Sequence, residues 1–186
     1  MRWSRRQVLG GGVTLLMASG LIATGLAPVW AAAAPGFRFD SIDGGSFDLA
    51  DWRGRPVLVV NTASLCGFAG QFDTLQQLQD RYADRGLIVL AVPSDDFRQE
   101  LASAAEVKEY CSVNFDLTLR MTGITHVKGA QAHPFYRWMA ETHGFTPGWN
   151  FNKILLGRDG QPLGTWGAPA APLSAPITGA IEAALG

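Results

Sequence analysis

Residues 56–94, "PVLVVNTASLCGFAGQFDTLQQLQDRYADRGLIVLAVPS", decide how this chain folds. "PVLVVNTA" (56–63) is an uninterrupted apolar run rich in β-branched residues, the pattern of a strand buried on both faces. After Cys66, the residues Phe72, Leu75, Leu78 and Tyr82 recur at helical spacing, and "DRG" (84–86) supplies a glycine stop. "LIVLAVPS" (87–94) is a second buried strand. A strand, about 20 residues of helix and a second strand form a right-handed crossover, so the two strands should lie parallel.

The flanking sequence extends this unit. Upstream, "FRFDSIDGGSFDLADWRGR" (37–55) alternates around Gly44 and Gly45 and reads as a β-hairpin. Downstream, the patterns predict a helix over 104–110, a strand over 117–121 and a helix over 134–141. Two strands split at "GRDGQ" (157–161) and a helix from Ala175 complete the chain. That order predicts an α/β thioredoxin-like fold: a central mixed sheet flanked by helices, with an N-terminal β-hairpin.

The first 34 of the 186 residues read differently from the rest. Their only charges are Arg2, Arg5 and Arg6, followed by an uncharged apolar run and "AAAA" (31–34), as in a cleavable export signal. "SRRQVL" (4–9) resembles the twin-arginine signature of bacterial proteins exported already folded. Two domains are therefore expected, a signal over 1–34 and a folded domain over 35–186, with a periplasmic destination. The run from Gly10 to Trp30 is also long enough to span a bilayer, so a retained anchor is the alternative; no membrane span is expected in the mature form. Removing three arginines leaves 12 basic and 16 acidic residues, a net charge of −4 with His neutral. No basic cluster occurs in 35–186, and an acidic domain is repelled by phosphate backbones, so no nucleic-acid partner is expected.

The two cysteines, Cys66 and Cys111, carry the chemistry. Cys66 falls in the turn after the first central strand, at or just before the helix N-terminus, where unpaired amides and the helix dipole favour a thiolate. Free cysteine has a pKa of about 8.5, and such positions lower it to roughly 3.5–7.5. The residue three beyond Cys66 is Ala69, so the second sulfur of a C-x-x-C disulfide exchanger is absent. His126, His133 and His143 have no nearby pair of sulfurs and read as surface or core residues rather than metal ligands. In an exported protein, Cys66 and Cys111 could also form a structural disulfide.

"VVNTASLCGFAGQFDTLQQLQDRYADRGLIVLAVPSDDFRQE" (59–100) resembles the glutathione peroxidase family's Asn-x-Ala-Ser-x-Cys-Gly-Phe loop, helix and Gln-Glu-containing loop. "AHPFYRWM" (132–139) and "WNFNKILLGRDG" (149–160) are similar to two further stretches of that family, in the same order. The resemblance runs from about Phe37 to the C-terminus. It implies a thiol-dependent peroxidase acting on hydrogen peroxide or organic hydroperoxides, with Cys66 as the peroxidatic residue. Gln99, Trp149 and Asn150 are implied as hydrogen-bond donors around it. The attack leaves a sulfenic acid on Cys66, and the neutral donors suit a developing oxyanion.

Cys111 matches a cysteine that resolves the sulfenic acid in thioredoxin-dependent members, which implies a thioredoxin-like protein or a small thiol as reductant. No metal, haem or nucleotide cofactor is implied. "DDFRQE" (95–100) is one residue shorter than the family's loop and has Asp95 and Asp96 where Asn and Gln are usual, which puts the register of Gln99 in question. "GFAG" (67–70) lacks a common proline. Two rival readings remain: a non-catalytic thioredoxin-fold binding protein with a structural disulfide, and a thiol-disulfide exchanger.

Overall fold

The computed structural model describes residues 34–186, so the proposed export signal lies almost wholly outside the described residues. Strand β1 (Arg38–Asp40) pairs antiparallel with β2 (Ser46–Asp48), as the alternation predicts. Gly44 and Gly45 turn the hairpin at φ 89° and 70°, a region in which L side chains are strained.

The centre of the molecule is a five-stranded sheet. β3 (Val57–Thr62) and β4 (Ile88–Pro93) are buried along their whole length and run parallel, with Val57 opposite Ile88 and Thr62 opposite Pro93. β5 (Arg120–Met121) extends β4 in parallel, whereas β6 (Lys153–Leu156) and β7 (Pro162–Trp166) add antiparallel strands beyond β3. The order β5-β4-β3-β6-β7 is the expected mixed sheet, and the fold is thioredoxin-like.

Alternation along the strands feeds two cores. Leu58, Val60, Val89 and Ala91 face one side, where α1 (Gln71–Tyr82), α2 (Ala104–Phe115) and α4 (Ala175–Leu185) pack. Val57, Val59, Ile88 and Leu90 face the other, against the hairpin and α3 (Pro134–His143). Burying each such aliphatic side chain contributes about 1.5–3 kcal/mol of transfer free energy.

Two elements differ in extent from their sequence patterns. α2 runs to Phe115 rather than Tyr110, because Phe115 packs on Phe72 of α1 with ring centroids 5.3 Å apart and draws another turn into the helix. The strand predicted over 117–121 shrinks to Arg120–Met121. The Leu117 amide is taken by the Cys111 carbonyl, and the Thr118 amide by Gln76 Oε1. Residues so engaged have no amide left for a neighbouring strand. Among the described residues, no helix is long and apolar enough to cross a membrane.

Candidate active site

Cys66 lies past the end of β3, 5% exposed, in a series of overlapping turns. Ala69 N–H donates to the Cys66 carbonyl at 2.9 Å and Gln71 N–H to the Phe68 carbonyl at 2.8 Å, which winds the chain into α1. The helix begins only at Gln71 with Gly70 as its cap, so Cys66 stands about one turn ahead of it. The amide that reaches the sulfur is therefore a turn amide: Phe68 N–H donates to Sγ at 3.5 Å. The neighbouring Leu65 is 61% exposed, so the turn has an open rim.

Two loops converge on this turn. The Gln99 carbonyl accepts from Leu65 N–H at 2.9 Å, tying the 94–101 loop to the residue preceding Cys66. Asn150 Nδ2 donates to Gln99 Oε1 at 3.0 Å, bringing together two of the residues singled out in the sequence. With its oxygen occupied, Gln99 presents an amide nitrogen as donor. Asn150 is fully buried, and its Oδ1 has no hydrogen-bond partner.

Both amides sit beside left-handed backbone: Arg98 has φ 58° and Phe151 φ 60°. Non-glycine residues held there cost on the order of 1–3 kcal/mol, and such strain clusters at functional sites. Arg98 stands one residue before Gln99, in the loop that carries the Gln99–Asn150 contact.

Trp149 is 43% exposed and stacks at a tilt on Phe97, with centroids 5.3 Å apart. Lys128 Nζ lies 4.0 Å from the centre of the Phe97 ring. Asp96 ties this rim together by accepting from His126 Nδ1 at 2.7 Å, Val127 N–H at 2.6 Å and Lys128 N–H at 3.1 Å. Burial opposes ionisation of Asp96, but these donors outweigh it and hold its carboxyl below the usual carboxylate range. His126 thus has a partner in the loop, His133 caps α3, and His143 packs edge-on against Trp138. Among the described residues no cluster of three metal-ligating side chains occurs.

Three supporting residues escaped the sequence reading. Asn61, at the end of β3, donates Nδ2 to the Trp149 carbonyl at 2.9 Å and accepts from Asn152 N–H at 3.1 Å, so it holds the Trp149–Asn150 segment in place. Lys153 is fully buried without a carboxylate partner. Its Nζ donates to Gln71 Oε1 at 2.5 Å and to the Ala170 carbonyl at 2.7 Å, and burial pushes its pKa down to about 8. Glu100 is 8% exposed, and its Oε1 accepts from Ser64 N–H and Leu101 N–H, both at 2.9 Å. Desolvation raises its carboxyl above the ordinary range against the pull of Ser64 and Leu101. A polar residue inside "VVNTA" and a lone charge opening "KILL" were the available signals for the first two. For Glu100 the signal was its place in the Gln-Glu pair of the family-like loop, but its burial was not, since a glutamate in a polar loop is ordinarily solvated.

Cys111 is 2% exposed and lies inside α2, four residues before its end, rather than just past a helix ending at Tyr110. Both cysteines are free and belong to one apolar cluster. Burial, reinforced by the charge of Glu100, pushes the Cys111 thiol up to about 12. Cys111 also lines a small cavity of about 110 Å³ with Ile42, Leu117 and Met121. A cavity of about 430 Å³ lies beside the start of α3 and is not lined by either cysteine.

A family model described as glutathione peroxidase matches residues 36–140. A glutathione peroxidase of Lactococcus lactis is 38% identical over 132 residues, covering 68% of this chain and 84% of the relative. A hydroperoxy fatty acid reductase of Synechocystis is 34% identical over 151 residues, covering 74% and 88%. Among solved structures, Trgpx in its apo form is 30% identical with a TM-score of 0.62, covering 82% of this chain and 97% of that one. A thiol:disulfide interchange protein of the thioredoxin family from Chlorobium tepidum has a TM-score of 0.61 at 19% identity, covering 83% and 97%, a likeness of fold alone.

Proposed function

Since the chain belongs to the glutathione peroxidase family, whose thiol-dependent reduction of peroxides it performs on a thioredoxin fold, we propose that Cys66 is the sulfur that attacks the peroxide. The observation that carries this reading is the Gln99–Asn150 hydrogen bond at 3.0 Å, joined through the Gln99 carbonyl to the turn that holds Cys66. The Cys66 thiolate attacks one peroxide oxygen, the O–O bond breaks, and water or an alcohol leaves while the sulfur becomes a sulfenic acid. Gln99 Nε2 and the Trp149 indole N–H are the donors for the departing oxyanion, with Asn150 orienting Gln99.

The reductant follows from Cys111. An internal thiol has a high effective concentration and captures the sulfenic acid before further oxidation. The resulting disulfide is then opened by a thioredoxin-like protein. Residues 35–186 carry a net charge of −4, and the short "ETHGFTPG" segment (141–148) holds no Lys or Arg with which to bind a small anionic thiol such as glutathione. In the test, native protein given one equivalent of peroxide is expected to lose two hydrogens by intact mass. Cys111→Ser is expected to complete the first turnover and gain oxygen, but to lose sustained turnover with a thioredoxin system. Equal turnover of both proteins, with glutathione the better donor, would return Cys111 to a packing role.

The same proposal assigns residues 1–34 to a twin-arginine signal and the mature domain to the periplasm, on the strength of "SRRQVL" and the small residues that follow the apolar run. Arg5→Lys combined with Arg6→Lys is expected to leave the precursor in the cytoplasm; an unchanged periplasmic yield overturns the assignment.

A further inference from the structure

We propose that the cavity between β1, the 123–126 loop and the start of α3 binds a small organic dianion, a molecule carrying a phosphate monoester or two carboxylates on a short carbon body. The cavity has a volume of about 430 Å³, and sites for small molecules run from roughly 300 to 1,000 Å³. Arg38 and Arg137 line it, and neither makes an ion pair among the described residues. In a domain of net charge −4, two unpaired guanidiniums on one concave wall are a positive site awaiting a counter-charge. A guanidinium suits carboxylate and phosphate because it donates two parallel N–H groups to their oxygens. Neither cysteine lines the cavity, so nothing in this proposal depends on the roles given to Cys66 and Cys111.

The two arginines are far apart in the chain, and His133 brings their segments together. Its Nε2–H donates to the Arg38 carbonyl at 2.8 Å, its Nδ1 accepts from Phe135 N–H at 3.2 Å, and its ring stacks on Phe39 with centroids 3.9 Å apart. Both ring nitrogens are spent, and burial holds the imidazole below the usual histidine range, so His133 is a neutral brace between β1 and α3. Arg137 Nη1 donates to the Ala132 carbonyl at 2.8 Å, which fixes the guanidinium on the wall and leaves its other N–H groups for an occupant. The Arg38 side chain has no hydrogen-bond partner among the described residues. The Tyr136 and Arg137 amides donate to the His133 carbonyl, so the positive character of the cavity comes from side chains and not from the end of the helix.

Asp40 is the one carboxylate on the wall. Two arginines against it leave the wall positive with both histidines counted as neutral, and a dianion is drawn to it more strongly than a monoanion. His126 also lines the cavity; its Nδ1 is engaged by Asp96 at 2.7 Å, which orients the ring and leaves Nε2 for an occupant. Ile124, 39% exposed, and Pro134 supply apolar surface for the carbon body.

The test is a titration of the isotope-labelled full chain followed by NMR, near neutral pH and at fixed ionic strength. Phenyl phosphate and glutarate serve as the dianions and acetate as the monoanion. Saturable shifts centred on 38–40, 123–126 and 131–137 are expected with at least one dianion, and the tighter of the two identifies the head group as phosphate or paired carboxylates. Acetate is expected to bind about tenfold weaker or less tightly still. Arg38→Gln and Arg137→Gln are each expected to weaken the tighter dianion by about tenfold to a hundredfold, the scale of a lost hydrogen bond to a charged group.

Arg38 is exposed and its side chain holds no other group, so Arg38→Gln leaves the fold intact, which thermal unfolding verifies. Arg81 of α1 is also exposed and lies outside the cavity lining. Arg81→Gln removes the same charge and is expected to leave binding within about twofold of native. Equal weakening by Arg81→Gln and Arg38→Gln would mean diffuse attraction of anions to the surface and overturns the proposal. So do shifts that grow without saturating for both dianions, acetate binding as tight as theirs, or binding by Arg38→Gln and Arg137→Gln within about twofold of native.

Discussion

Cys66→Ser is expected to lower peroxide consumption by about 10³-fold or more, the scale on which loss of a nucleophile is felt. Serine fits the volume of the thiol, and its hydroxyl can accept the Phe68 N–H that now donates to Sγ at 3.5 Å, so the turn into α1 has no reason to collapse. What is lost is the chemistry: the hydroxyl does not ionise near neutral pH and no base lies within hydrogen-bond reach of it, whereas a thiol supplies thiolate. Steady-state peroxide consumption with a thioredoxin system, with thermal unfolding as the control, measures this. Retention of more than about one per cent of native activity in a folded Cys66→Ser protein removes Cys66 from the reaction.

Trp149→Phe is expected to slow the first step by about 10²-fold, the lower end of the 10²–10³ range for removing one oxyanion donor. The lower end applies because the indole is 43% exposed, and water competes for an exposed donor more than for an enclosed one. Phenylalanine keeps the stack on Phe97, and the Trp149 carbonyl still receives the Asn61 and Asn152 side-chain amides, so the loop is held as before. The change therefore isolates the N–H. Stopped-flow oxidation of Cys66 gives the rate directly, and a value within threefold of native reduces Trp149 to a lid over Phe97.

The fold was legible because its signals are local. The apolar runs 57–62 and 88–93, the spacing of Phe72, Leu75, Leu78 and Tyr82, and the glycines of the hairpin each act within a few residues, and all appear where their patterns put them. Cys66 stood out for the same reason, as the one thiol in a short polar loop between a buried strand and a helix. The extra turn of α2 was not legible, because it depends on Phe115 meeting Phe72 across two helices.

By itself, the sequence determined the strand-helix-strand unit, the hairpin, the mixed sheet and the position of Cys66 between the first central strand and the helix, since hydrophobic period and turn chemistry act at short range. Only the tertiary structure decided what surrounds that cysteine. Asn61 holds the Trp149 segment 88 residues away, Lys153 reaches Gln71 across 82, and Glu100 is fixed by the amide of Ser64 across 36. In the sequence each of these is an unremarked polar residue. Burial turns them into parts of the site, because a polar group removed from water must find its partner inside the protein, and the partner is supplied by the packing of distant segments.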